Sequence, residues 1–467
     1  MLDASDSTLR LRPVDLTALR LRYLLPITAV AVLLGTVAPE VWRLAIFAMA
    51  AIGIAVAAGP QALFALMVVT SGVSFSQVTD GEKSMLASLG GINIDGLRLL
   101  TVLAGFTAIS LAAPRILGAL RFQPIYLLFL FFAATSVAWS DSQLEGARLA
   151  TKLAYPLIGY SLAYHVCMTR SSALIPSFLA AAALVATVVG LGIGLVTGEW
   201  TSMEGSFRYR GSLGFSTYGL FCSMTALCAY AFWGSARSRP HLVLFLVMAT
   251  QLVATGTRVA LICLAAGLLA FDLGRRRFGR VAAVVLVGVV IWNTVPTLGK
   301  RTGAIPFPGT VTDLTGVAEG VNLSGRLIVW QDVWAAMVQG GGAFGHGLGS
   351  SSTYLTGRYS GAKIAHNEYL RLWAETGPVG IALFLLAYGA LLFALCRVAI
   401  TSPRARELAL LGICAVITFL VASVTDNTLD YYATFSLFPW VLAGAAFGLR
   451  DSTGATLVTR LQPRPTQ

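Results

Sequence analysis

Apolar runs recur along almost the whole chain, separated by short polar breaks. They fall near residues 23–38, 44–59, 60–77, 98–113, 124–139, 147–167 and 174–197, and again near 215–233, 241–255, 258–273, 281–297, 378–396, 408–424 and 433–449. Most are long enough to cross, or nearly cross, about 30 Å of hydrocarbon. Such runs predict an all-α polytopic membrane protein of about 12–14 transmembrane helices, the uncertainty in number coming from tight junctions such as Gly59-Pro60. Only one hydrophilic connection is long. The chain therefore divides into 1–297, a bundle of about eleven spans; 298–377, a long ordered helical loop; and 378–467, the C-terminal helices and tail.

Composition agrees with this pattern. Of 467 residues, 56% are hydrophobic and 12% charged, and the mean hydropathy is +0.76; a water-soluble fold has too little interior to hide that much apolar surface. The formal charge of +12 does not require nucleic acid, because basic residues in a membrane protein first report orientation. With a cytoplasmic amino terminus, the inside loops hold 19 of the 33 basic residues against six acids. Both termini are then cytoplasmic, and loop 298–377 faces the periplasm of an inner-membrane protein. The six cysteines (Cys167, Cys222, Cys228, Cys263, Cys396 and Cys414) lie in or beside apolar runs without metal-ligand spacing. The first apolar run lacks a small-residue cleavage site and reads as a retained anchor.

The long loop carries the candidate chemistry. Ser324 is a plausible N-cap for a helix in which Leu327, Trp330, Trp334 and Met337 recur at three- and four-residue spacing on one apolar face. The glycine-rich stretch through Gly345-His346-Gly347-Leu348-Gly349 ends that helix and permits close backbone approach. No Gly-Lys-Ser/Thr follows it, so it is not a phosphate loop. A second helix, from His366 to a stop at Gly377-Pro378, places His366, Leu370 and Trp373 on a shared face. Arg326 stands at the start of the first helix. Arg208, Arg210 and Arg258 mark the outer ends of other spans. Any one of these is well explained as a membrane-interface residue, but outer-facing cations as a set run against the orientation rule.

Ser324-Gly325-Arg326 with Trp330, the 345–349 turn, His366-Asn367-Glu368-Tyr369-Leu370 and Thr255-Gly256-Thr257-Arg258 together resemble the bacterial O-antigen ligase and O-antigen or exopolysaccharide polymerase superfamily. The resemblance covers about 255–400, with Thr257 standing where many relatives have Ser. It implies a GT-C-like membrane glycosyltransferase that takes an undecaprenyl-diphosphate-linked oligosaccharide and passes the glycan to an acceptor sugar hydroxyl, on lipid A-core or a growing lipid-linked glycan. Within it, Arg258 and Arg326 hold the diphosphate and His366 serves the acceptor hydroxyl. Arg208, Arg210, Trp330, Asn367 and His346 are expected to contact substrate.

Elementary chemistry fits those roles. Arginine neutralises a departing diphosphate bidentately and stays charged, and a neutral imidazole accepts a proton from an attacking hydroxyl. No Asp-rich metal motif occurs in the outer loops, so neither metal nor other cofactor is expected; membrane lipids and the lipid-linked sugars are the partners, and nucleic acid is not. The different-class alternative is a flippase or secondary transporter of lipid-linked sugars. Transporters place charges near mid-span, whereas here Lys152 is the exception among charges at span ends and in loops.

Overall fold

The computed structural model describes residues 59–73, 92–169, 174–197, 209–236, 238–294, 326–358 and 365–461, with two very short strand pairs, Ser88–Leu89 with Ile92–Asn93 and Ser202–Met203 with Ser206–Phe207. The described chain is otherwise helical. The helices are α1 Gly59–Gly72, α2 Ile94–Ala112, α3 Pro124–Ser136, α4 Gln143–Thr169, α5 Leu174–Thr197, α6 Phe215–Ala236 and α7 Arg239–Thr255. They continue with α8 Arg258–Gly274, α9 Phe278–Thr294, α10 Arg326–Val333, α11 Ser350–Arg358, α12 Glu368–Thr401, α13 Arg406–Ala422 and α14 Leu437–Leu461. The apolar runs near 23–38 and 44–59 lie outside the described residues. Every other run holds a helix over its described residues.

These helices differ in reach. Among the described residues, Leu174–Leu195, Phe215–Gly234 and Glu368–Thr401 are long and apolar enough to cross a membrane, and Thr101–Leu111 with Pro114–Phe122 forms a pair bent by 106°. That is fewer than the 12–14 spans expected from hydropathy. Part of the difference is that two of the runs lie outside the described residues, and part is length: α7, α8 and α9 have 17 residues each, which at 1.5 Å per residue reach about 26 Å. Gly377-Pro378 interrupts α12, where Gly377 has φ 67°. The segment before that break carries Glu368, Arg371 and Glu375, all buried, so the apolar length of α12 starts after it.

The core is aromatic. Trp440, Tyr126, Tyr388, Phe384 and Phe419 are fully buried, with Tyr126 and Trp440 centroids 4.2 Å apart and Tyr388 stacked on Phe419 at 4.8 Å. Trp440 donates its indole N–H to the Tyr388 hydroxyl at 3.2 Å, as a buried indole requires. Helix α14 approaches α4 through Gly444 and Gly448: a Cβ on either would fall within 2.3 Å of the backbone oxygen of Tyr160 or Tyr164. Lipid tails give no hydrophobic drive between spans, so close backbone contact of this small-xxx-small kind supplies the attraction instead.

The bundle has two chemically different ends. At one, the C-terminal ends of α6, α8 and α12 meet the arginine-bearing turns 275–280 and 404–406. At the other, the start of α6, the α7–α8 turn, the start of α12 and the α13–α14 connection come together, carrying the carboxylates and the histidine described next.

Candidate functional site

His366 is not in the first turn of a helix, as its sequence spacing suggested. Asn367 is the N-cap of α12, its side chain accepting from the Leu370 N–H at 3.0 Å, and His366 precedes the cap with a left-handed φ of 51°. The imidazole therefore does not share a helical face with Leu370 and Trp373; Leu370 packs instead against a small cluster of Val333, Met337, Leu355, Ala365 and Ala374. The left-handed kink turns the ring to the α13–α14 connection. There His366 Nδ1 lies 3.4 Å from Asp426 Oδ1, with 36% of the histidine side chain exposed and 2% of the aspartate.

Asp426 is the residue that sequence reasoning missed. Its carboxylate accepts from the Ser216 hydroxyl at the start of α6 (2.5 Å), the Tyr431 hydroxyl (2.8 Å) and the Asn427 N–H (3.0 Å). Burial alone would raise its pKa, but the hydrogen bonds from His366 and Ser216, the histidine charge and the Tyr431 hydroxyl outweigh it and hold the carboxyl below its ordinary range. Tyr431 responds oppositely: burial and the neighbouring Asp426 push its hydroxyl well up, so it remains a donor.

A second polar group locks this connection onto α12. The Arg371 guanidinium bonds Glu368 at 2.6 Å and Asp430 at 2.5 Å, and Lys152 from α4 reaches the other oxygen of Asp430 at 2.9 Å. Glu368 accepts from the Leu429 N–H at 2.9 Å. Lys152, the charge that stood apart in the sequence, is thus a counterion to Asp430. Burial raises the Asp430 pKa, but Arg371 and Lys152 more than reverse this and hold it below the usual value.

The arginines approach the same end. Arg326 opens α10 and donates to the carbonyl of Thr425, the residue before Asp426, at 2.7 Å. Arg258 is the first residue of α8, and the preceding Thr257 donates to the carbonyl of Phe215 at 3.0 Å. Phe215 adjoins Ser216, so Arg258 and Arg326 flank one set of bonded residues centred on Asp426. Arg210 sits in a turn fastened to the same corner, where the Tyr209 N–H donates to Ala254 O at 2.9 Å. Arg208 and Ser324 lie outside the described residues.

Three expected substrate contacts have structural occupations. Trp330 donates to the carbonyl of Ala365 at 2.6 Å, bracing the residue before His366. Asn367 caps α12. His346 places Nε2 3.1 Å from Met337 O while its backbone N–H donates to Ala374 O, so its ring closes the end of the preceding helix. That helix is not one continuous face: a π-turn at Trp334–Val338 follows α10 and rotates the register. Val333 and Met337 are consequently buried while Trp334 is 44% exposed, though its ring still meets Trp373 edge-on at 5.5 Å.

The glycine turn approaches the protein itself. A Cβ on Gly345 would strike the Glu375 backbone at 2.6 Å and one on Gly347 the Ser140 backbone at 2.5 Å, with φ of +66° and +90°. Gly347 N–H donates to Glu375 O at 2.8 Å, and the Glu375 carboxylate accepts from Ser351. Glu375 therefore anchors the turn, and Glu368 is committed to Arg371. Among the described residues, no group of three His, Cys, Asp or Glu side chains is arranged to hold a metal ion.

Chemically, the corner offers one part-exposed imidazole beside a buried carboxylate, with Arg326 bonded to the residue before that carboxylate and Arg258 opening a helix at the same end. Such a set can take a proton and meet an anion. Comparison with curated proteins gives no match. Residues 243–385 match the family model described as O-antigen ligase.

Proposed function

We propose that this chain, which carries an O-antigen ligase domain over residues 243–385, transfers a glycan from an undecaprenyl-diphosphate-linked oligosaccharide to an acceptor sugar hydroxyl, on lipid A-core or a growing lipid-linked glycan. The observation that carries this reading is the His366–Asp426 pair at 3.4 Å, on a connection whose preceding carbonyl is held by Arg326. His366 takes the proton of the acceptor hydroxyl as that oxygen bonds to the anomeric carbon of the donor sugar. The bond from that carbon to the diphosphate oxygen breaks, and the electron pair leaves with the diphosphate. Arg258 and Arg326 receive the added negative charge, as preorganised cations in a partly dry site do well. Asp426 fixes the ring through Nδ1 and stabilises the imidazolium that forms, leaving Nε2 for the hydroxyl. Arg210 and Arg208 add to the positive field.

The orientation we infer puts this corner on the periplasmic face of the inner membrane, both termini in the cytoplasm, and loop 298–377 over the site as its catalytic segment. Its support is the excess of arginine in the opposite loops. Since arginines supply the countercharge, the reaction is proposed to run without a metal ion. A flippase or transporter would use uncompensated charge along the spans, and Lys152 is already matched by Asp430.

The deciding experiment incubates purified protein with labelled undecaprenyl-linked repeat units, with and without lipid A-core. Ladders without core identify a polymerase, and one transfer onto core identifies a ligase. Absence of any glycosidic product, with labelled lipid crossing proteoliposome bilayers, would replace this reading by the transporter.

A further inference from the structure

We propose that Ser216 and Tyr431 are positioning residues: their hydroxyls hold the Asp426 carboxylate and draw on its charge, and so set the pH range over which the His366 imidazole is neutral. The inference rests on the reading of His366 as the proton acceptor.

Asp426 receives donors on both oxygens. Its Oδ2 accepts from the Ser216 hydroxyl at 2.5 Å. Its Oδ1 accepts from the Tyr431 hydroxyl at 2.8 Å and the Asn427 N–H at 3.0 Å, and lies 3.4 Å from His366 Nδ1. The histidine is thus the most distant of the four groups bonded to this carboxylate. Each donor favours the ionised acid and leaves less of its charge to act on the others. The Asn427 bond belongs to the backbone, so the two hydroxyls are what side-chain chemistry adds.

The hydroxyls come from separate elements, Ser216 from the first turn of α6 and Tyr431 from the end of the turn Thr428–Tyr431. Thr217, next to Ser216, also reaches the Tyr431 hydroxyl, which burial and then Asp426 push well up, so it stays protonated and donates. The charged and titratable groups of the neighbouring elements are distinct from these two. Arg326 on α10 is bonded to Thr425 O; Arg258 opens α8, and Cys263 further along it faces Asp426. Glu368 on α12 and Asp430 on the connection are closed on Arg371 and on Lys152 from α4. Removing a hydroxyl alters none of them. It leaves Asp426 to act more fully on His366, which favours the imidazolium and keeps the ring protonated to higher pH.

Diethyl pyrocarbonate acylates only the neutral ring, and 36% of the His366 side chain is exposed. Its reaction at His366, followed against pH by peptide mass spectrometry on the purified full chain, gives a protonation midpoint. We expect Tyr431→Phe and Ser216→Ala each to raise that midpoint by about 0.5 unit or more, roughly three-fold in the protonation constant, and the acid limb of transfer to move with it. Tyr369→Phe removes a hydroxyl that donates to Leu420 O at 2.8 Å on the same helix, and should leave the midpoint in place. An unmoved or lowered midpoint in either folded variant, or an equal rise in Tyr369→Phe, would overturn the proposal; if one of the two variants does not fold, the other decides. A wild-type chain that forms no glycosidic product would refute the transfer reading alone, since the midpoint is read without substrate.

Discussion

Arg371 joins Glu368, three residues back on its own helix, to Asp430 on the α13–α14 connection, at 2.6 and 2.5 Å. Together with the Leu429 N–H bond to Glu368, this guanidinium holds the segment that presents His366 and the connection that carries Asp426 as a unit. Removing one member of a buried charge network leaves the others uncompensated, typically at about 3–5 kcal/mol. Arg371→Met should therefore lower the thermal unfolding temperature sharply, whereas Lys152→Met, at the half-exposed edge, should cost less. Equal and small shifts for both in a differential scanning experiment would refute the ranking.

Acid should loosen the same connection. Asp426 and Asp430 both have pKa values held below the ordinary aspartate value. A carboxyl lowered by folding contributes stability that is present above its unfolded pKa and lost as pH falls through its folded one. Stability from these groups should thus be constant near neutrality and decline below about pH 4. Asp430→Asn should flatten that decline when unfolding temperature is measured against pH.

His366→Ala is expected to reduce turnover by about 10² to 10⁴ with donor lipid still bound. Asp426→Asn should produce a loss in the same range, by releasing the ring rather than deleting it. His346→Gln, altered at a ring bonded to Met337 O, should retain most turnover per folded molecule. A His366→Ala enzyme at wild-type rate, measured with labelled donor and acceptor, would remove the general base; EDTA should leave the wild type unchanged.

Arg326 carries two expected effects. Its bond to Thr425 O places it in the scaffold of the Asp426 connection, and its charge is the one proposed to meet the donor diphosphate. Arg326→Lys loses the planar fork, so turnover should fall and donor KM rise, with stability lowered by about 1–3 kcal/mol. Arg258→Lys should impair turnover with a smaller stability change. Normal transfer by both Arg326→Ala and Arg258→Ala at normal protein level would dismiss the diphosphate role.

Much of the architecture was legible because long apolar runs admit few alternatives in a membrane: from 59 onward, each run holds a helix over its described residues. Arg326, Arg258 and His366 were legible as a set through their motif resemblance. Asp426 was not, because it stands 60 residues after His366, in a short connection between two apolar runs where one aspartate looks like any turn residue. Its only local signal was a second carboxylate, Asp430, beside it. Three- and four-residue spacing carries the helix back past Asn367 to His366, whereas Asn is a preferred N-cap and marks the helix start by itself. The π-turn at Trp334–Val338 leaves no trace in a pattern of three- and four-residue spacings, so the face containing Trp334 was misassigned.

The φ of 51° at His366 sets thermal stability and chemistry against each other at one position. A left-handed backbone costs an ordinary L-residue about 1–2 kcal/mol, and glycine almost nothing. His366→Gly should therefore relieve about 1 kcal/mol of backbone strain, set against the Asp426 contact it gives up, while cutting transfer as His366→Ala does. A library of variants of this chain selected for heat resistance alone would be drawn to glycine or asparagine here, and its hardiest members would have given up the imidazole.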